Sequence, residues 1–518
     1  MDVGLSVFGG IVFLAGLFAL NASYRWSVYG LAAFSLLGCA LALTLGGVGI
    51  MPAYLFLMFF VLRAFNLGGG DGLLRAVDIG KAGFWLLCTC AWGVFGALVL
   101  PRVLAGSTLV FTIDRNATDV NSMGLLQPLA PVSGNLSQTV YCVAELLVFC
   151  SMSVFLRCRG GYRALADAML ALTALDVLAG LIDVASHAVG IDALSWLKTA
   201  DFVYFDGASL GGLIRISGTF SEASAFAAFT LQLFAFCISL WLLGFRPRLS
   251  GALAVATGTL LLLSTSGSAY VGLGGYAVVL LLSRPGRIVR EAQARKVRMW
   301  TLFACLGVLA TLYAILFMPN VVNALTDFVD ATILSKADSD SGVERSGQNM
   351  QALSNFFDTY GIGVGLGSVR VSSFVMVLLA CLGVLGTLCY AIFIAKATLA
   401  PIARERPFTD RAVCYAARQG MFATLITAAV SASVFDLGVG FYLLAAAASG
   451  VAVQVKRRSF LPVTRVTPIV SDTPVMPAQP ASLAACVATD VPSRERLTSR
   501  GAALPGAARA RRADSGNA

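Results

Sequence analysis

Apolar runs of membrane-spanning character recur along most of the chain, and that recurrence decides what it can fold into. They fall at residues 5–20, 28–45, 50–65, 84–104, 140–156, 164–186, 223–243, 251–263, 270–282, 300–318, 373–394, 421–435 and 439–455. A helix crossing about 30 Å of hydrocarbon needs about 20 residues, and hydrocarbon offers no partner to a free backbone amide. Each run is therefore expected to be helical. The fold class is an all-α polytopic integral membrane protein with about 12–13 transmembrane helices. A composition of 58% hydrophobic and 12% charged residues agrees, because no soluble surface can be covered with so little charge.

The basic residues supply an orientation. One set of connections carries Arg63, Arg75 and Lys81, then Arg157, Arg159 and Arg163, then Arg246 and Arg248, and further on the cluster from Arg284 to Arg298 and the stretch from Lys396 to Arg418. The alternate set holds only Arg115, Lys198, Arg215, Lys336, Arg345 and Arg370, although its loops are longer. By the positive-inside rule the first set is cytoplasmic. The net charge of +10 then reports topology and anionic lipid, and gives no reason to invoke nucleic acid. The run at 5–20 follows Asp2 rather than a basic region and is not expected to be a secretory signal. The 12 cysteines fall almost entirely within spans or cytoplasmic segments, so no disulfide framework is implied, and Cys88 and Cys90 are expected to pack rather than bind metal.

Domains follow from this map. Residues 1–455 form the membrane domain, and 456–518, opening on Lys456-Arg457-Arg458 and rich in Pro, Ala, Ser and Arg, are expected to be a disordered cytoplasmic tail. The longest outer loop spans about residues 319–371 and is expected to contain short amphipathic helices.

Chemistry concentrates in the outer segments. Arg215-Ile216-Ser217-Gly218-Thr219-Phe220-Ser221-Glu222 stands just ahead of the run at 223–243. A charge at the hydrocarbon edge costs a few kcal/mol unless it has a partner or a task. The arginine fork matches phosphate oxygens, and the glycine turn lets Arg215 and Glu222 approach each other. Both residues are equally suited to orienting the helix at the interface. A second outer stretch places Trp196, Tyr204 and Phe205 among Asp192, Asp201 and Asp206, a composition that suits a sugar groove and an interfacial aromatic belt alike. Asn116-Ala117-Thr118 matches a glycosylation sequon, a pattern common by chance.

Asp176, Asp183 and His187, the only histidine, share one helical face. Such a file suits proton relay or cation binding in a transporter; the competing expectation puts Asp183 and His187 at the wet end and pairs Asp176 inside the bundle. Ser264-Thr265-Ser266-Gly267-Ser268 breaks an apolar region on the same side as Arg215. The long outer loop carries Asp338, Asp340, Glu344 and Arg345, then Gly361, Gly363, Gly365 and Gly367 at alternate positions, then Arg370, Ser372 and Ser373. The alternating glycines exclude a stable helix and suit either close approach to a ligand or a turn packed between helices. A nucleotide loop is not expected, since no Lys-Ser/Thr follows.

Taken in order, these motifs resemble a family. Arg215-Ile216-Ser217-Gly218-Thr219-Phe220-Ser221-Glu222-Ala223-Ser224 resembles the arginine, glycine and glutamate-proline-serine element of bacterial polysaccharide polymerases, whose superfamily also contains the O-antigen ligases. The serine/threonine break at 264–268 and Gly363-Val364-Gly365-Leu366-Gly367-Ser368 with Gly383-Val384-Leu385-Gly386 resemble further family elements, and the resemblance covers about residues 200–440. Two positions depart from it: Ala223 replaces the proline, and Ser372 occupies the place of the ligases' histidine.

The resemblance implies a glycosyltransferase of the bacterial inner membrane that uses no nucleotide sugar, metal or other cofactor. Its substrate would be a polyprenyl-pyrophosphate-linked oligosaccharide and its active site would face the periplasm. The expected reaction is polymerisation of repeat units into exopolysaccharide or O-antigen; a ligase or a transporter are the alternatives. Implied partners are membrane lipid, a flippase and a chain-length regulator. Arg215, Arg345 and Arg370 are the expected pyrophosphate ligands, and Glu222 is the expected base. Asp338, Asp340 and Glu344 are the runners-up, and Ser264, Ser266, Gly365, Gly367 and Ser372 are expected to line the substrate.

Overall fold

A computed structural model describes residues 3–45, 48–112, 125–199, 209–210, 213–318, 326 and 340–450. The chain divides into a unit comprising Met1–Val455 and a second comprising Lys456–Ala518; the described residues belong to the first. The expected tail, the sequon at Asn116, Asp338, and the acids and aromatics Asp201, Asp206, Tyr204 and Phe205 lie outside them.

The membrane unit is a helical bundle. Its helices are α1 (Val7–Asn21), α2 (Tyr24–Phe34), α3 (Pro52–Leu74), α4 (Ala82–Val103), α5 (Ser133–Arg157), α6 (Gly161–Val189), α7 (Ala223–Leu243), α8 (Pro247–Leu263), α9 (Gly267–Leu282), α10 (Arg290–Phe317), α11 (Asp340–Asp358), α12 (Phe374–Leu399), α13 (Phe408–Ser431) and α14 (Val439–Gly450). Among the described residues eight are long and apolar enough to cross a membrane: α3, α4, α5, α6, α7, α10, α12 and α13. Helices α1, α8, α9 and α14 are apolar but shorter, and the run expected at 28–45 is helical only to Phe34. The protein is thus an all-α polytopic membrane protein, with fewer full-length spans than apolar runs. The difference arises because several runs stop at irregular turns within the bundle, where polar side chains and neighbouring helices satisfy the freed backbone.

Local chemistry sets the helix ends. Ser6 caps α1 by accepting from the Gly9 amide, and Pro52 opens α3 at a position where no amide donor is needed. At the start of α5, Asn135 Oδ1 accepts from the Val132 amide. The described residues also form three small antiparallel sheets: β1 (Val3–Leu5), β2 (Leu43–Leu45) and β3 (Val48–Ile50) in one, β4 (Leu109–Thr112) with β5 (Leu125–Pro128), and β6 (Ser209–Leu210) with β7 (Leu213–Ile214).

Helix α7 is the hub, packing against α13 and α8 most extensively and against α9, α6 and α10 as well. Its fully buried aromatics Phe226 and Phe236 belong to the main core, together with Phe56, Phe60 and Phe155 from the α3–α5 side and Phe393, Phe441 and Tyr442 from α12 and α14. Helix α10 behaves differently: its first turns bury Ala292, Lys296 and Met299, while Leu302, Phe303, Leu306, Leu309 and Phe317 are all exposed. Such an apolar surface requires lipid or another hydrophobic partner around it.

Candidate functional site

The site is built around a turn pinned from below. Asp183, buried on α6, accepts from the backbone amides of both Ser217 and Gly218 at 2.9 Å. Gly218 adopts φ +56°, and a Cβ there would meet the Phe226 ring at 3.0 Å, so glycine is what lets the chain turn at this point. Thr219 Oγ1 donates to the Leu36 carbonyl at 2.6 Å, and Lys198 Nζ donates to Ser217 Oγ at 3.2 Å. Three separate segments thus hold six residues of irregular backbone, and Arg215 and Glu222 emerge at its two ends.

Glu222 sits at the N-terminus of α7, where the helix dipole favours a negative charge, and it accepts a hydrogen bond from Ser224 Oγ. Arg215 is partly buried, and its Nε has no hydrogen-bond partner among the described residues. Burial pushes the Arg215 guanidinium below its ordinary pKa, while Glu222 pulls it up and the positive charge of Arg345 pushes it down. Glu222 and Arg345 therefore both lie within the field of Arg215, although Arg345 comes from a separate segment. A cation with a buried, unsatisfied donor beside a second cation is chemically suited to an anion.

Glu222 also lines a cavity of about 400 Å³ between α2, α3, α7 and the turn joining α13 to α14. Phe34, Phe220, Phe229 and Tyr54 give it aromatic walls. Its polar groups include Glu222, Gln232, Thr424, Thr427, Ser431 and Asp436. Tyr54 Oη donates to Asp436 Oδ2 at 2.5 Å, and the Gly438 amide donates to Oδ1 at 2.6 Å, so this carboxylate is fixed in direction. Glu145 on α5 is fully buried with Asp436, Tyr442 and Leu437 as polar neighbours, yet neither of its oxygens has a hydrogen bond of acceptable geometry among the described residues.

The expected site residues separate into groups. Arg215, Glu222 and Arg345 come together. Glu344 and Ser372 join a chain in which Ser372 Oγ donates to Gln348 Oε1 at 2.6 Å and Gln348 Nε2 donates to Glu344 Oε1 at 2.9 Å, with the Ser372 amide on Asn349 Oδ1. This links the end of the glycine strap to α11, the helix that carries Arg345, and Asp340 is the first residue of that helix. Arg370 is tied through its backbone amide to Phe111 on β4 and does not line the cavity.

The glycines expected to line the substrate pack against protein instead. Gly365 and Gly367 have φ of +92° and +77°. A Cβ on Gly365 would stand 2.5 Å from the Gly96 carbonyl of α4, and one on Gly367 would strike the Gly134 carbonyl of α5. The Gly365 amide already donates to Cys381, and Asn135 Nδ2 donates to both Leu366 O and Ser368 Oγ. Ser264 and Ser266 are also outside the cavity lining; Ser264 donates to Leu261 O at the α8–α9 break, where Thr265 takes φ +46°.

The acid file divides. Asp183 serves the turn, with His187 Nδ1 at 3.4 Å from its other oxygen, whereas Asp176 is buried beside Thr230 with neither oxygen hydrogen-bonded among the described residues. Asp183 is therefore buried, not at a wet end. Sequence reading missed Asp436, Tyr54, Gln232, Lys198 and Glu145. Two signals marked them: an acid inside the apolar run at 140–156, and the Asp436-Leu437-Gly438 interruption between the last two runs. Compared with known proteins, the chain matches no family model and no curated protein.

Proposed function

We propose that the protein is a membrane glycosyltransferase that polymerises polyprenyl-pyrophosphate-linked oligosaccharides at the outer face of the bacterial inner membrane. The observation that carries this reading is the pairing of an anion site with a base at one cavity mouth: Arg215 with its unsatisfied Nε, Arg345 in its field, and Glu222 on the cavity wall. The resemblance of the Arg215–Ser224 element to polysaccharide polymerases supports the same assignment.

In this reading Arg215 and Arg345 hold the pyrophosphate of the lipid-linked donor. A hydroxyl oxygen of the acceptor glycan attacks the donor's anomeric carbon and forms the new glycosidic bond. The bond from that carbon to the pyrophosphate oxygen breaks, and the electron pair leaves with polyprenyl pyrophosphate, whose growing charge the two guanidiniums stabilise. Glu222 accepts the hydroxyl proton as the attack proceeds. Polymerisation is preferred over ligation because Ser372 stands where the ligases carry histidine, and its hydroxyl is occupied by Gln348.

The test is the size distribution of surface and secreted polysaccharide from a strain lacking the gene. Loss of long chains with accumulation of single lipid-linked repeats is the expected result. Normal-length chains left on the lipid carrier would assign ligation, and an unchanged profile would overturn the glycosyltransferase reading.

A further inference from the structure

The cavity beneath Glu222 has contents that the chemistry above does not use. Its floor carries Asp436, oriented by Tyr54 and the Gly438 amide, and Gln232, which lies on α7 ten residues beyond Glu222 and hence about 15 Å along the helix axis. Gln232 is 4% exposed, and its Nε2 has no hydrogen-bond partner among the described residues. A Cβ on Gly440 would stand 3.2 Å from that nitrogen, so the glycine makes room for the amide at the cavity wall. A buried, unpaired amide donor is costly, and such a group normally has an occupant.

The remaining lining narrows what that occupant is. Each oxygen of Asp436 takes one donor, from Tyr54 or the Gly438 amide, and a carboxylate oxygen accepts more than one; the buried Glu145 carboxyl is its other polar neighbour. Phe34, Phe220 and Phe229 turn apolar surface onto the same space, and Phe220 and Phe229 are held together with ring centres 4.9 Å apart. A carboxylate and an amide that bond hydroxyls, set among aromatic rings, match a pyranose, which has hydroxyls around its rim and apolar C–H faces. A purely apolar occupant such as a polyprenyl tail would leave the Gln232 amide unpaired and the remaining acceptor capacity of Asp436 unused. The volume of about 400 Å³ falls in the range of small-molecule sites.

We propose that this cavity is a sugar-ring site that receives a residue near the end of the acceptor glycan, with Asp436 and Gln232 bonding its hydroxyls while the attacking hydroxyl, on the terminal residue nearer the mouth, reaches Glu222. The assignment of the ring to an acceptor rests on the glycosyltransferase reading. The binding site itself rests on the cavity alone.

The test uses the full chain in lipid nanodiscs with free glucose, galactose, mannose, rhamnose and glucuronate as probes, read by saturation-transfer NMR. At least one sugar is expected to receive saturation from the protein. Gln232→Leu and Asp436→Asn, which keep the side-chain volume, should each weaken that sugar's apparent affinity about tenfold. Ala228→Phe, which fills the cavity from α7, should abolish the signal. No transfer from any probe to the wild-type protein, or wild-type affinity in Gln232→Leu and in Ala228→Phe, would overturn the proposal. The polysaccharide profile separates the two readings. Loss of long chains without sugar binding would remove the cavity proposal alone, and sugar binding with unchanged polysaccharide would remove the acceptor assignment together with the glycosyltransferase reading.

Discussion

Two glycine-bearing stretches of irregular backbone lie in this membrane unit, and they spend their polar groups in opposite ways. In the turn at 215–222, protein donors and acceptors hold the backbone: Asp183 takes two amides, and Leu36 receives the Thr219 hydroxyl. Of the charged side chains at its ends, Glu222 lines a cavity and Arg215 lies in its field. In the strap at 361–372 the Val364 and Gly365 amides donate to α12, those of Gly361, Ile362 and Gly363 turn back on residues 356–359, Asn135 ties down Leu366 and Ser368, and the one charged residue, Arg370, does not line the cavity. Both stretches resemble motifs of one family, yet only the first has the chemistry of a site. The second is a buttress that fixes α4, α5 and α12 relative to α11. Glycine content marks where the backbone must bend or pass closely; the neighbours of its amides decide whether a ligand can use it.

The comparison breaks first if the strap tolerates bulk. Gly367→Val places a branched side chain at φ +77° against the Gly134 carbonyl, combining backbone strain with overpacking at a cost of about 3–5 kcal/mol. Loss of most of the protein from the membrane fraction on immunoblot is expected. Normal abundance combined with loss of polymer would instead place Gly367 in the site. Arg215→Ala should do the reverse, cutting long-chain polysaccharide by about 10²-fold or more while the protein level stays normal, since its Nε makes no hydrogen bond among the described residues. Normal polymer in that strain would remove the anion site from the reaction.

Arg215→Lys sharpens the distinction further. Burial at this position disfavours the charged form of a cation, as it does for the arginine itself. A lysine, ordinarily near pKa 10.4, is therefore expected to titrate lower and to lose its charge as pH rises. Polymer formation in isolated membranes should fall about tenfold at neutral pH through loss of the fork, and further at alkaline pH. Wild-type activity should have no such limb from this residue. An identical pH profile in both would mean that residue 215 carries no functional charge.

How much of this was legible follows from which interactions are local. The helices were readable because hydrocarbon imposes one solution on an apolar run, and Arg215 and Glu222 were readable because charges flanking such a run are conspicuous. The length of each helix was not, since the break after Phe34 and the turn around Asp436 are fixed by packing partners far away in sequence. Asp183 was assigned to a file with Asp176 and His187 by helical periodicity alone. Its role depends on two amides 34 and 35 residues away, which periodicity cannot report. Asp436 and Tyr54 are 382 residues apart and form one unit through a single hydrogen bond. The cavity they share with Glu222 is a tertiary object with no local signature.

The smallest effect concerns the junction of the two regions, where Ser372 ends the strap and reaches α11. Its hydroxyl donates to Gln348, whose own amide donates to Glu344, one residue from Arg345. If this chain only positions α11, Ser372→Ala should cost about 1 kcal/mol, because Gln348 is 4% exposed and would keep its bond to Glu344 while losing a donor to its oxygen. Polymer yield should then change less than about threefold, with a slightly lower unfolding temperature of the purified protein. Ser372→Asn, which retains a donor, should restore the unfolding temperature in part. A loss beyond about tenfold in polymer with unchanged stability would mean that the hydroxyl contacts substrate. The strap would then belong to the site at its last residue, and the line between buttress and site would have to be drawn before Ser372 rather than after it.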